Sequence, residues 1–229
     1  MDKHFAGNVI LSNMTLAAEH SRLLNQQHIV LDDVSWKFYE RVLEEIGNRP
    51  IRVTFSEGSI EIMSPLPEHE WVKKAIARLI ELMVIELNIP MSGYGSSTFR
   101  REDKQRGLEP DECYYLHNAS RVRGMKEFDS AVHPAPDLAV EVDITSRSIP
   151  RQPIYAALGV PELWRFDGER ITILLLGNDG TYLPAPSSSA FPFLPMADFL
   201  RFVMRMENEE QTTLLREFQK WVRTLKPLI

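Results

Sequence analysis

The sequence predicts a mixed α/β or α+β domain. Short stretches in which apolar and polar residues alternate are typical of strands, and longer stretches with apolar residues three or four positions apart are typical of helices. Both kinds of stretch occur along the chain without an internal repeat. A chain of 229 residues, 44% of them hydrophobic, can bury one large core. We therefore expect a mixed β-sheet flanked by helices.

The N-terminal region is predicted to be an arm followed by a short helix. Residues 1 to about 30 show only weak patterning. The run DDVSWKFYERVLEEIG predicts a helix that Ser35 caps and Gly47 ends. The predicted apolar stripe of this helix is Phe38, Val42, Leu43 and Ile46.

A hairpin and a long helix are predicted next. Arg52 to Met63 reads as two alternating runs around the turn Glu57-Gly58. Ser64 to Asn88 predicts the longest helix, because apolar residues recur at helical spacing. The following MSGYGSSTFRREDKQRG is predicted to be a loop with one short strand. Its basic residues, Arg100, Arg101, Lys104 and Arg106, are either solvated or a patch that contacts phosphate.

Asp137 to Ile144 is the stretch that points to function. Its alternation places Leu138, Val140, Val142 and Ile144 on one face, and Asp137, Ala139, Glu141 and Asp143 on the other. Carboxylates on so apolar a strand are costly to bury unless a cation or hydrogen-bond donors meet them. We therefore look for the functional site at this strand.

The remaining elements follow the same kinds of pattern. Glu109 to Leu116 predicts a strand that precedes the acidic strand, which is the Asp137 to Ile144 stretch. A polar loop with Arg121, Arg123 and Lys126 separates these two strands. After the acidic strand we expect the following elements in order: a helix from about Pro150 to Leu158 with Gly159 at its end, strands Glu162 to Phe166 and Arg170 to Leu176, a weaker strand near Tyr182, and helices Met196 to Met206 and Gln211 to Leu225.

Strand geometry indicates which carboxylates can act together. Asp137 and Glu141 share a face but stand roughly 13 Å apart along an extended strand, so they cannot both bind one ion. A neighbouring strand lies only about 5 Å away, which makes Asp111 the candidate partner of Glu141. Two such carboxylates completed by water suit Mg²⁺. Arg151, at the start of the next helix, would add a positive charge.

The chain contains, in this order, the segments GLEPD at 107–111, PDLAVEV at 136–142 and YAALGVPELW at 155–164. This series resembles the Uma2 family, which consists of restriction-endonuclease-like proteins of the PD-(D/E)xK superfamily. The hairpin followed by SPLPEHEWVKKAIARL also resembles the opening of that family. The resemblance covers roughly Arg52 to Phe202. It implies a restriction endonuclease-like core at 51–205, with the arm and short helix at 1–50 before it and a C-terminal helix at 206–229.

The resemblance also implies a metal-dependent DNA endonuclease that hydrolyses phosphodiester bonds. Asp111 and Glu141 match the two acids that bind the metal, Mg²⁺ or Mn²⁺. Asp137 matches an acid frequent in Uma2 chains and completes the predicted catalytic set with Arg151. Uma2 chains usually have lysine where Arg151 stands, and the lysine position of the ExK pattern holds Asp143. Arginine cannot act as a general base, although it can hold a phosphate bidentately.

Structural roles remain open for the same residues. Asp111 could be a turn acid, and Glu141 could form a salt bridge with Arg151 or Arg147. Asp143 is expected to cap the Thr145-Ser146 turn. His69 is left out of the catalytic set as a helix-start histidine. Packing is the expected role of Tyr155, Leu163 and Trp164, and Cys113 is expected to be a buried, unreactive thiol.

Composition limits the partners. The net charge of −6 means that nucleic acid must be bound by a local patch, and the single cysteine excludes a disulfide framework. Without an evident signal peptide or membrane span, we expect a cytoplasmic protein. The leading hypothesis is a metal-dependent DNA endonuclease. The alternatives are a catalytically impaired nuclease fold that binds DNA or protein, and a structural homodimer whose acids form salt bridges.

Overall fold

A computed structural model describes residues 28–144 and 148–225. Its strands are β1 (His28–Leu31), β2 (Arg52–Ser56), β3 (Ser59–Met63), β4 (Ser92–Gly93), β5 (Phe99–Arg101), β6 (Arg106–Leu108), β7 (Glu112–Tyr115), β8 (Leu138–Val142), β9 (Glu162–Phe166), β10 (Ile171–Leu176) and β11 (Tyr182–Ala185). Its α-helices are α1 (Trp36–Ile46), α2 (Pro67–Glu86), α3 (Gln152–Leu158), α4 (Met196–Arg205) and α5 (Gln211–Val222).

The strands form two sheets. A five-stranded sheet has the order β1-β3-β2-β6-β5, and a six-stranded sheet has the order β11-β10-β9-β8-β7-β4. The pairing of β8 with β9 is parallel, and α3 provides the crossover between these two strands. The other pairs of the six-stranded sheet are antiparallel. The fold is therefore α+β, with a mixed sheet at its centre.

Helices cover both faces of the six-stranded sheet. On one face, Val140, Val142 and Trp164 lie in a large apolar core with buried residues of α2, α4 and α5. On the other face, Ala139 and Leu163 lie in a second core with buried residues of α3, β5 and β6. Because β8 is covered on both sides, all five of its residues are buried.

A third, smaller core joins α1 to the five-stranded sheet through Trp36, Tyr39 and Phe55. The rings of Tyr39 and Phe55 stack with centroids 5.1 Å apart. Tyr39 also lies against Gly107 of β6, where a Cβ atom would overlap the tyrosine ring. Glycine is therefore needed in the GLEPD segment so that α1 can approach this sheet closely.

Most predicted elements are confirmed. The hairpin, the long helix, the acidic strand, the short helix and the strands and helices after it all occur close to their predicted positions. The Ser35 hydroxyl accepts a hydrogen bond from the Phe38 amide at 3.2 Å, and the Gly47 amide bonds to Leu43 at the other end of α1. Gly159 ends α3 with φ at 81°, as expected for this position.

Three predictions about local structure are wrong. Residues 28–31 form β1, which pairs with β3, although they were predicted to belong to the unpatterned arm. The stretch around residues 92–108 holds β4, β5 and β6 instead of one short strand. Phe38 is exposed, and α1 buries Trp36 and Tyr39 instead. The predicted arm at residues 1–27 lies outside the described residues.

The C-terminal helix α5 covers the core. Leu214, Phe218 and Val222 are buried in the largest apolar cluster, and the Phe218 ring packs edge-on against Phe202 of α4. In the part of the chain that the structure describes, no helix is long and apolar enough to cross a membrane.

A buried carboxylate fastens the segment before α4 to the sheet. Glu162, at the start of β9, is fully buried. Its carboxylate accepts hydrogen bonds from Trp164 Nε1 at 2.6 Å, from the Ser188 hydroxyl at 2.5 Å, from the Ser189 amide and hydroxyl at 2.8 and 2.6 Å, and from the Ala190 amide at 2.8 Å.

Glu162→Ala is expected to destabilise the protein by about 3–5 kcal/mol, because several buried donors lose their acceptor at once. For a chain of this size the melting temperature should fall by roughly 10 °C. The exposed Glu169, changed to alanine, is the control and should melt like the wild type. Equal melting temperatures for the Glu162 variant and the wild type would contradict this assignment.

Candidate functional site

Glu141 is the centre of the candidate site. It lies on β8 with only 4% of its surface exposed, on the face that α3 covers. Arg151 Nη1 lies 3.0 Å from Glu141 Oε1 and 3.3 Å from Oε2. The Tyr155 hydroxyl also donates a hydrogen bond to Oε1. The buried carboxylate is therefore met by a cation and a neutral donor from one short helix.

The Arg151 guanidinium is itself buried and joins three segments. Besides Glu141, its Nη1 donates to the backbone carbonyl of Glu109 at 3.1 Å. Burial acts to lower the pKa of Arg151, but the Glu141, Tyr155 and Asp111 groups more than offset it, so the pKa is raised. Burial, followed by Glu141, raises the pKa of the Tyr155 hydroxyl well above its usual value. Arg151 remains a cation and Tyr155 remains a proton donor.

Asp111 stands beside Glu141, as strand geometry predicts. Asp111 immediately precedes β7, and the register of β7 and β8 pairs Glu112 with Val140, which brings Asp111 to the level of Glu141. The Val142 amide donates a hydrogen bond to Asp111 Oδ2 at 2.7 Å. Asp111 is 1% exposed, and its charge acts on Arg151. The two carboxylates and the arginine thus form one cluster.

His69 adds a contact that the sequence did not reveal. It lies in the first turn of α2, is buried, and its Nε2 lies 3.1 Å from Asp111 Oδ2. On its other side, Nδ1 lies 3.6 Å from Glu70 Oε1. The hydrogen bond from His69 lowers the pKa of Glu70. Burial acts in the opposite direction, but the Lys73 ammonium adds to the effect of His69, and the pKa falls to about 2. The histidine therefore orients Asp111 from the helix side.

Asp137 is placed away from this cluster. Its Oδ2 accepts hydrogen bonds from the backbone amides of Leu116 at 2.7 Å and Asn118 at 3.1 Å, and its Oδ1 accepts one from the Asn118 side chain at 2.9 Å. Since Tyr114 pairs with Leu138, Asp137 lies at the end of β7 opposite to Asp111. The structure brings together Asp111, Glu141 and Arg151 from the predicted catalytic set, and Asp137 caps the chain after β7.

Two clefts lie in this part of the molecule, and cluster residues line one of them. One, with a volume of about 790 Å³, is bordered by residues of α1, by the 96–98 and 126–128 segments, and by Arg52, Glu70 and Glu109. Glu109 Oε2 lies 3.4 Å from Arg52, and burial raises the pKa of this carboxyl. The other cleft, of about 780 Å³, includes Glu141 and Arg151 in its wall.

The structure bears on the structural roles that the sequence left open for Glu141, Asp143 and Cys113. Glu141 does form the predicted salt bridge with Arg151, while Arg147 lies outside the described residues. Asp143 accepts a hydrogen bond from Arg165. The Thr145-Ser146 turn, which Asp143 was expected to cap, also lies outside the described residues. Cys113 is buried and forms no disulfide, and burial raises the pKa of its thiol.

The predicted basic loop is largely neutralised. Three of its side chains pair with acids: Arg100 with Glu40 at 3.6 Å, Arg101 with Asp103 at 2.7 Å and Arg106 with Glu57 at 2.8 Å. These exposed or half-buried pairs reduce the positive charge that the loop offers to a phosphate. They support the solvated alternative more than a phosphate patch.

The donor set at Asp111 and Glu141 fits a hard divalent ion. In the ranges 28–144 and 148–225, no group of three or more His, Cys, Asp and Glu side chains is placed to hold a metal. Mg²⁺ does not need such a group, because one or two carboxylates suffice when water and substrate phosphate supply the other oxygens. The hydrogen bond from Val142 holds Asp111 next to Glu141, which lies on the neighbouring strand. The two carboxylates would hold Mg²⁺ or Mn²⁺ in this way.

Sequence reasoning missed His69 and Tyr155 as site residues. Tyr155 carried a signal, since it stands four residues after Arg151, and residues at that spacing share one helix face. His69 lies in the segment that resembles the family's opening, but it was set aside as a helix-start histidine, and the packing of α2 brings it to Asp111.

Two carboxylates on neighbouring strands of a mixed sheet thus lie beside a cation that precedes the crossover helix. The model of the Uma2 family, described as "Putative restriction endonuclease", matches residues 36–207, and the chain belongs to this family. Among solved structures, the chain is similar to one described as a "putative nuclease belonging to DUF820 from Anabaena variabilis ATCC 29413". The identity is 14% and the TM-score 0.41, over 73% of this chain and 90% of that one. No curated protein matches the chain.

Asp137→Ala tests whether this acid is structural. Three hydrogen bonds are lost and two backbone amides lose their acceptor, so we expect a destabilisation of about 2 kcal/mol and a melting temperature lower by about 4–8 °C. A metal-induced rise in melting temperature should persist in this variant. Glu127→Ala, at an exposed position, is the control. A variant with unchanged stability that no longer responds to metal would instead make Asp137 a ligand.

Proposed function

We propose that this chain is a metal-dependent DNA endonuclease that hydrolyses phosphodiester bonds. The observation that carries the proposal is the position of Asp111, fixed by its hydrogen bond from the Val142 amide, beside Glu141 and Arg151. Membership of the Uma2 family supports the same activity. Asp111 and Glu141 are proposed to hold Mg²⁺ or Mn²⁺.

A divalent ion at this place would activate a water molecule and neutralise charge on the reacting phosphate. The protein groups have separate tasks. His69 orients Asp111, while Tyr155 and Arg151 hold Glu141 in position. Arg151 also supplies a permanent positive charge where negative charge develops in the transition state. Its raised pKa means that it does not take the proton of the attacking water.

The proposed substrate is DNA bound through local contacts. A net charge of −6 gives no general attraction to a polyanion, so we propose that affinity comes from local contacts, among them those in the cleft that Glu141 and Arg151 line. Cleavage of both strands of a duplex would call for a two-fold dimer, which we include in the proposal. The single free cysteine is compatible with the proposed cytoplasmic location.

A second candidate function is nucleic-acid or protein binding without catalysis. The buried ion pair of Arg151 with Glu141 favours it, because an arginine held against the metal-binding acid cannot replace a lysine that must lose its proton. This alternative predicts binding that is unchanged in Glu141→Gln and no cleavage under any metal condition.

Titration with Mg²⁺ and Mn²⁺ tests the metal site. The wild-type melting temperature should rise with metal concentration, because a ligand that binds only the folded state stabilises by about 2.7 kcal/mol at a hundred times its Kd. Glu141→Gln, which keeps the side-chain shape but removes the charge, should lose this response. Glu169→Gln should keep it. Identical responses of the two variants would place the metal elsewhere.

Arg151→Lys and Arg151→Gln separate the two candidate functions. If Arg151 acts as a cation, the lysine variant should cleave plasmid DNA within about tenfold of the wild type, and the glutamine variant should be slower by about a hundredfold or more. Both should keep the metal response in melting, because the carboxylates remain. Wild-type protein that binds metal and DNA without cleaving, and cleaves only after Arg151→Lys, would establish an impaired nuclease.

A further inference from the structure

Arg165 is a second arginine beside the cluster, and the proposed reaction so far gives it no role. It lies on β9, where the parallel register pairs it with Glu141. Paired residues of neighbouring strands point to the same face about 5 Å apart, so Arg165 stands next to Glu141 on the side of α3. The other four residues of β9 are buried, whereas 45% of the Arg165 side chain is exposed.

One hydrogen bond fixes the orientation of this guanidinium. Arg165 Nε donates to Asp143 Oδ2 at 2.9 Å, and Asp143 lies two residues after Glu141. The two terminal amino groups of Arg165 make no hydrogen bond within the described ranges. Asp167 lies within electrostatic reach, but its Oδ1 accepts from the amides of Glu169 and Arg170. Anchoring through Nε thus leaves a pair of parallel donors for another acceptor.

The cleft of about 780 Å³ connects this arginine to the proposed reaction centre. Glu141, Arg151 and Arg165 all line it, and the remaining wall is largely apolar through residues such as Leu163 and Ile149. The two arginines differ in what they face. Arg151 is buried against Glu141, whereas Arg165 is exposed to solvent in the cleft.

We propose that Arg165 binds a backbone phosphate of the nucleic acid next to the phosphate at Asp111 and Glu141. This proposal rests on the proposed nuclease function. A planar guanidinium held by its Nε can bind two phosphate oxygens in parallel, which an ammonium group cannot do. Asp143 reduces the local positive charge but holds the plane of the guanidinium, so that it is oriented before the nucleic acid binds.

The test measures the salt dependence of DNA binding. Fluorescence anisotropy of a labelled DNA duplex in CaCl₂ gives Kd over a series of NaCl concentrations for the wild type, Arg165→Gln, Arg165→Lys and Arg170→Gln. Arg170 is 70% exposed and carries the same charge outside the cleft, which makes it the matched control. Plasmid cleavage with Mg²⁺ is measured in parallel.

Loss of one phosphate contact should weaken binding about tenfold near 0.1 M salt and reduce the slope of log K against log salt by about 0.9. Arg165→Gln should show both changes and melt within about 2 °C of the wild type. Arg165→Lys should keep the slope but bind more weakly, because a point charge replaces the fork. Arg170→Gln should match the wild type.

Two negative results have different meanings. In the first, the wild-type protein binds or cleaves DNA, but the slope of log K against log salt is the same for Arg165→Gln and Arg170→Gln. This result would overturn the role of Arg165 and leave the proposed function standing. Wild-type protein that neither binds nor cleaves DNA, with or without divalent metal, would overturn the proposed function, and this inference with it.

Discussion

The buried carboxylate of Glu141 is the constraint on which the centre of the structure depends. A charge in the middle of a strand covered on both faces is costly unless a cation and hydrogen-bond donors meet it. Arg151, which directly precedes α3, and Tyr155, on α3, meet this charge, so the start of the helix has to lie across this part of the sheet. The seven-residue length of α3 and the turn at Gly159 then return the chain as the parallel strand β9.

The same arginine also ties the two sheets together. The segment from Glu109 to Asp111 leads from β6 in the five-stranded sheet to β7 in the six-stranded sheet, and Arg151 bonds to the Glu109 carbonyl within it. Asp111, at the end of the segment, accepts from the Val142 amide on β8. The cluster is thus positioned by rigid elements on three sides, which favours the fixed geometry that a reaction centre needs.

Elements with a strong local pattern could be predicted from the sequence, while contacts made by packing could not. Alternation and strand spacing were enough to place Asp111 beside Glu141, because neighbouring strands have a fixed separation. Strand spacing also separated Asp137 from Glu141, and only the family resemblance grouped Asp137 with the site. The structure shows that Asp137 caps backbone amides at the opposite end of β7. Short edge strands such as β1 lack a periodic signal, and they form only because β3 offers them a partner.

Burial affects the charge of an arginine at this site differently from that of a lysine. A lysine placed against Glu141 would lose part of the benefit of its charge on desolvation, since burial lowers the pKa of an amine. Arginine keeps its charge in the same place, and Glu141 and Asp111 stabilise that charge further. Because arginine stays protonated, it cannot accept a proton from water. A hydrolytic reaction at this cluster would therefore need a base other than Arg151, which would contribute its charge and its contact with Glu141.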